Sequence, residues 1–363
     1  MLDLSGMKRV QIDPESRTAV AQAGLLLGEL DQETQAFGLA TPLGVVSLTG
    51  IAGLTLGGGL GWLSGKYGLA CDNVLAADLV TADGRLLTVS ASEHEELYWG
   101  IRGGGGNFGV VTSFTYQLHP VGPVVGGGVA YPISKAAAVL RFYHEFSRTA
   151  PDEVSTTAGL GQGPDGSLVV GVGLCSCGLE EAEALFRSFA TITPPLVYDV
   201  RSMPYVLRQR LLDAAWTTPQ CHYWKSNYMK DMTDSAVEVM VRFVAETPHL
   251  LSAGFQQLHG AAARVLPTAT AFPHRDDHYD FSVNAKWADP AASAANIERT
   301  RAFSEALQPF VERGVYVNAL GEEGEDRVKA AYGPNYERLA ALKRRYDPTN
   351  LFRMNQNITP APA

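Results

Sequence analysis

Residues 17–24, RTAVAQAG, put small and apolar residues in a β-compatible run and predict a strand. The next stretch, LLLGELDQETQAFG, spaces Leu26, Leu30 and Phe37 along one helical face, and Gly38 supplies the stop. VLAADLVTADGRLLTVS (Val74–Ser90) reads as a hairpin. Two apolar, β-branched runs meet at Asp83-Gly84, a pair that tight turns favour. SEHEELYWGIR is helical, and FGVVTSFTYQL (Phe108–Leu118) is another strand.

Residues 120–123 read as a linker. Beyond it, SLVVGVGL, HYWKSNYM and HYDFSVNAKW alternate apolar with polar or aromatic residues. That alternation predicts an antiparallel sheet with one face toward a cavity. Amphipathic helices lie between these strands: DSAVEVMVRFVAET, capped by Thr233 or Asp234, and a long pattern from Pro290 to Phe310. In the tail, Pro334 suits the first turn of a helix through NYERLAALKRRY, and Pro348 ends it.

Composition narrows the class. Hydrophobic residues are 46% and charged residues 18% of the 363 positions, a globular balance that excludes a disordered chain. The net charge of −9, with basic clusters no longer than Lys343-Arg344-Arg345, argues against a nucleic-acid partner. No apolar run reaches the ~18–20 residues that span a bilayer, and the first residues lack the charged-then-apolar layout of a secretory signal. Cys71, Cys175, Cys177 and Cys221 make no metal-like pairs. Packed thiols in a reducing cytoplasm are the expectation, with no metal.

The 37 glycines cluster, and the clusters carry the chemistry. GGGNFG (Gly104–Gly109) matches G-x-G-x-x-G, but a helix precedes it and a strand follows. The dinucleotide-binding turn needs the reverse order, so that reading fails. TGIAGLTLGGGLGWLSGKYG (Thr49–Gly68) packs six glycines into Gly50–Gly61. Such a backbone turns tightly or approaches a ligand closely, and its bare amides can cradle a diphosphate.

These glycine stretches, with LYWGIRGGGGNFGVV and the tail YGPNYERLAALKRRYDPTNLFRMNQNI, resemble the berberine-bridge-enzyme-like FAD-linked oxidoreductases. That group is a branch of the vanillyl-alcohol-oxidase superfamily with PCMH-type FAD-binding domains. The resemblance covers nearly the whole chain and implies an α+β fold. Residues 1–122 would form the FAD-binding domain and 123–333 the substrate domain, with an antiparallel sheet backed by helices. Residues 334–363 would return to the FAD domain. FAD is then the cofactor, and a small molecule is oxidised at a C–H bond of an alcohol, sugar-like or secondary-metabolite carbon. Oligomeric state is not legible.

The resemblance also distributes roles. Gly50, Gly53, Gly57, Gly58 and Gly59 would line the diphosphate or ribityl chain. Asp72 and Asn73 would face cofactor or brace their own turn. Gly105, Gly106, Asn107, Gly109 and Val110 would bring main chain against the flavin and adenine, and Asn355 and Asn357 would close over the flavin's polar edge. Tyr316 and Tyr332 are the candidate bases, although the family's Y-x-N-aromatic motif ends here in Ala319. Tyr223, Lys225, Tyr228, His274 and Arg275 are candidate substrate contacts.

Family members carry a loop with an R-x-G-G-H-type motif ahead of the point where this chain starts, and some add a Cys where this chain has Val46. The expectation is FAD held non-covalently and weakly. The rival reading is a non-catalytic fragment that retains none. Thr49, three residues after Val46, falls where a small side chain goes with oxidases and a Leu with dehydrogenases. It points to O2 as acceptor, or else merely braces the Gly50 turn.

Overall fold

The computed structural model describes residues 2–215, 220–321 and 323–362. Two antiparallel sheets organise it. The first is five-stranded: β1 (Val10–Asp13), β2 (Thr18–Gln22), β4 (Val74–Val80), β5 (Leu86–Ser90) and β6 (Val110–Gln117), in the order β1-β2-β6-β4-β5. The short pair β3 (Leu39–Ala40) and β7 (His119–Pro120) lies apart. The hairpin expected at Asp83-Gly84 joins β4 to β5, and Gly84 takes the φ of +82° that the turn requires. The early helix runs Leu27–Gln35. Its buried face is Leu27 and Leu30, whereas Phe37 lies past the helix end and is exposed.

The second sheet is seven-stranded: β8 (Val124–Pro132), β9 (Val154–Gln162), β10 (Leu168–Ser176), β11 (Val197–Met203), β12 (Cys221–Met229), β13 (Leu251–Leu258) and β14 (His278–Trp287). Their order is β11-β8-β10-β9-β13-β14-β12. Alternation sorts the faces. Tyr279, Phe281, Val283 and Ala285 pack under helices Ala136–Thr149, Asp234–Glu246 and Ser293–Ala306. Thr233 caps the second of these, accepting from the Ala236 amide. The intervening residues of β14, Asp280, Ser282 and Asn284, face the other way.

The tail closes the first core rather than the second. Helix Tyr336–Tyr346 buries Leu339 and Leu342 among residues such as Leu97 and Phe108. Lys343 is fully buried, donating to Asp347 Oδ2 at 2.6 Å and to the Asn107 and Phe352 carbonyls. Polar contacts then tie the halves together. Gln209 donates to the buried Asp31, Ser47 donates twice to Asp213, and Arg275 meets Asp72. Among the described residues, no helix is long and apolar enough to cross a membrane.

Candidate active site

Between the sheets lies a cavity of about 610 Å³. Thr49, Gly50 and Gly53 wall one side with Gly105 and Gly106. Gln256 enters from β13, and Tyr316, Asn318 and Asn355 close the rest. The residues singled out as Thr49, Gly50, Gly53, Gly105, Gly106, Asn355 and Tyr316 are therefore brought together from four separate stretches. A Cβ placed on Gly50 or Gly53 would meet nothing within 4 Å. The turn at Gly105 takes φ +72°, and its amide donates to the Leu56 carbonyl at 2.9 Å. Open glycine backbone facing a roomy cavity fits a large flat cofactor.

The next glycines serve a different purpose from the one expected. A Cβ on Gly57 would stand 2.0 Å from Asn318 Oδ1, and one on Gly58 would stand 2.9 Å from the Phe272 ring. The Gly59 amide donates to the Tyr316 hydroxyl at 2.9 Å. Gly57, Gly58 and Gly59 thus seat the Tyr316–Asn318 turn instead of lining a diphosphate. Asn318 Nδ2 bonds the Leu54 carbonyl and also donates to the Tyr316 hydroxyl, at 3.0 and 2.9 Å. With two bonds accepted, that hydroxyl keeps its own proton to donate.

Several expected contacts turn out to be structural. Asp72 accepts from both terminal Arg275 nitrogens at 2.7 Å, and the Arg275 side chain is 2% exposed, so each neutralises the other away from the cavity. Asn73 bonds the Tyr67 and Leu69 carbonyls and His119. Asn107 ties the Gly104 carbonyl to the Ile358 amide. A Cβ on Gly109 would strike the Val80 carbonyl at 2.7 Å, and Val110 begins β6 opposite Val80. Asn357 buries its Oδ1 without a described partner and does not line the cavity. Tyr332 is fully buried beneath the glycine turn, its hydroxyl donating to the Gly104 carbonyl, and does not reach the cavity.

Strand alternation splits the β12 candidates. Tyr223 and Lys225 point toward the helices, where Lys225 pairs with Glu323 at 2.7 Å and Tyr223 accepts from Arg301. Tyr228 lies on the cavity side, its ring stacked on His278 at 4.0 Å and its buried hydroxyl unpartnered among the described residues. His274 is half-buried beside it, bonding the Ala330 and Ala331 carbonyls, and desolvation holds its pKa down at about 4.

The electrostatics disfavour both tyrosines as the base. Burial pushes the Tyr316 and Tyr332 phenols well above their ordinary range, so neither takes a proton at neutral pH. The fitting group is Asp280, which the sequence reading missed. It sits opposite Tyr228 on β12 and opposite Gln256 on β13. Ser226 Oγ donates to it at 3.0 Å. Desolvation of this part-buried carboxyl pushes its pKa up to about 6, against which the Ser226 bond works. Its charge in turn raises both Tyr228 and Tyr316, which places the three groups in one neighbourhood. The signal was present in HYDFSVNAKW: an acid in mid-strand, at a position that strands disfavour.

Comparison with known proteins agrees with this architecture. Residues 1–90 match the model of an FAD binding domain, and 315–359 match the model described as berberine and berberine like. An FAD-linked oxidoreductase of Dictyostelium discoideum is 32% identical over 365 residues, covering 99% of this chain and 79% of that protein. The (R)-6-hydroxynicotine oxidase of Paenarthrobacter nicotinovorans is 32% identical over 382 residues, covering 99% and 81%. Among solved structures, 6-hydroxy-D-nicotine oxidase from Arthrobacter nicotinovorans superposes with a TM-score of 0.88 at 28% identity, covering 98% of this chain and 81% of that one. A chitooligosaccharide oxidase shares the fold, with a TM-score of 0.85 at 23% identity over 99% and 81%. The chain belongs to the berberine-bridge-enzyme-like family of FAD-linked oxidoreductases. It is an FAD-dependent oxidoreductase of α+β fold.

Proposed function

We propose that the cavity is the reaction site of an oxidase, in which Asp280 takes the proton of a substrate hydroxyl or amine as hydride leaves the adjoining carbon. Gly50, Gly53, Gly105 and Gly106, with Thr49 and Asn355, would hold FAD. When bound, FAD supplies the hydride acceptor. The observation that carries the reading is a part-buried carboxyl, its pKa pushed up to about 6 by desolvation, directly across the sheet from Gln256, which lines the cavity that those glycines wall. A base with that value is ionised at neutral pH yet poorly solvated, which suits proton removal. Tyr316, hydrogen-bonded by Gly59 and Asn318, keeps its proton and donates to the substrate heteroatom, fixing its orientation. Gln256 adds an amide on the same wall.

The sign of the pH dependence follows. The ionised form of Asp280 predominates in the folded chain above about pH 6. Anaerobic reduction of bound flavin by a substrate should rise through that pH and level off above it. A flat profile between pH 5 and 8 contradicts the assignment.

O2 is the proposed acceptor, on the support that Thr49 lines the cavity. Its side chain is shorter than Leu and leaves room beside the glycine wall. Thr49→Leu should slow the reoxidation of photoreduced flavin by dissolved oxygen severalfold in stopped flow. Equal rates in the two proteins would show that Thr49 only braces its turn, as its amide does by donating to the Val46 carbonyl.

A further inference from the structure

The cavity-side face of the seven-stranded sheet continues beyond the cavity. Register aligns Ala130, Gly171, Gly159 and Gly254 in one row across β8, β10, β9 and β13. The next row reads Gly128, Gly173, Thr157 and Gln256. Gln256 lines the cavity, whereas Thr157, directly opposite it, lines a second hollow of about 650 Å³. The facing loop behaves alike: Leu60 walls the cavity and Trp62, two residues on, walls the hollow. The hollow is thus a lateral extension of the site. At about 4.8 Å per strand, Gly173 lies roughly 10 Å from Gln256.

A floor of glycines says only that backbone is accessible. The independent observation is Arg208, which lines the hollow and is 2% exposed. Its Nε donates to the Leu174 carbonyl at 3.0 Å, and its guanidinium lies 3.4 Å over the Trp62 ring. Its Nη2 stands 3.5 Å from where a Cβ of Gly173 would be, so the charged end leans over the glycine floor. Every other buried cation described here meets a carboxylate: Arg275 meets Asp72 and Lys343 meets Asp347. Arg208 is in none of the ion pairs among the described residues. Asp199, on the far wall, is held by Arg201. A buried charge without its opposite is costly, and a ligand that brings the opposite charge relieves that cost.

We infer that the hollow receives the far end of the substrate, and that this end is a flat apolar frame bearing a carboxylate that pairs with Arg208. The inference rests on the cavity being the reaction site. Flatness follows from the floor, where Gly128, Gly171, Gly173 and Gly159 present only backbone. Apolarity follows from Val169, Val197, Leu211 and Leu212 on the walls. A carboxylate is favoured over a phosphate because a single guanidinium, its Nε already engaged, offers one charge and only its two terminal nitrogens.

The test compares 2-naphthoate with its neutral isostere 2-naphthamide, by calorimetric titration of the protein with and without added FAD. The carboxylate should bind about tenfold tighter or more, the ratio a single charged hydrogen-bonded pair supports. In Arg208→Gln the preference should vanish. In Gly171→Val both probes should weaken, because the new side chain enters the hollow. A Cβ there meets only the Val129 carbonyl at 3.9 Å, so the strand accepts it. Should Arg208→Gln not fold, the wild-type ratio and Gly171→Val still decide. Equal affinities in the wild type, no binding of either probe, a preference that survives Arg208→Gln, or a Gly171→Val variant that binds like wild type would each overturn the inference. The readout needs no turnover. An Arg208-dependent preference in a protein whose flavin reduction ignores Asp280 would keep the hollow and discard the reaction site. Substrate turnover that depends on Asp280 but is indifferent to acid groups would do the reverse.

Discussion

Asp280→Asn is expected to slow anaerobic flavin reduction by about 10²–10⁴-fold at pH 7.5, the range that loss of a general base produces. The amide keeps the shape of the carboxyl and the acceptor for Ser226 Oγ, which in the wild type lies 3.0 Å from Oδ1. Folding should therefore survive, and the rising limb near pH 6 should disappear with the rate. Tyr316→Phe should be milder, because it removes a donor and leaves the base. If Asp280→Asn reduces flavin at the wild-type rate, the base lies elsewhere. If Tyr316→Phe costs more than Asp280→Asn, the division of labour is reversed.

The largest effect on stability is expected at Arg275→Met. The substitution preserves bulk but strands Asp72, whose side chain is 10% exposed, with a single backbone partner at the Leu69 amide. Leaving one member of a buried ion pair uncompensated costs about 3–5 kcal/mol. The pair also joins the loop after the glycine cluster to the segment before β14, so its loss loosens the floor under Phe272 and Gly58. Urea unfolding should move to a lower midpoint in Arg275→Met, and the double variant Asp72→Asn, Arg275→Met should recover much of the difference. A midpoint within error of wild type for Arg275→Met would mean that the pair contributes nothing net.

Local chemistry made part of this legible from sequence. Asp83-Gly84 dictates its own turn, Thr233 its own cap, and the alternation in HYDFSVNAKW its own strand. The glycines at Gly50, Gly53, Gly105 and Gly106 announced an open backbone, and they do wall one cavity. Long-range pairing was not legible. Nothing near Asp72 in the chain indicates that Arg275, 203 residues away, neutralises it. Nothing at Gly57 indicates that it is small to admit Asn318. Asp280 emerges only when register sets it against Tyr228 and Gln256, and burial then decides its protonation. The tyrosines looked like bases by motif, but desolvation moves a phenol the wrong way for that task.

The central claim is that the glycine-walled cavity between the sheets holds FAD, and Gly53 tests it most directly. Gly53 lies in the short helix Ile51–Leu56 and lines the cavity, and a Cβ added there meets nothing beyond its own helix within 4 Å. The measurement is titration of the purified chain with FAD, following quenching of flavin fluorescence, for wild type and Gly53→Leu. The account predicts saturable quenching in the wild type. It predicts affinity weaker by about tenfold or more in Gly53→Leu, with thermal unfolding of the FAD-free protein unchanged. Identical titration curves for the two proteins would place the cofactor somewhere other than this cavity.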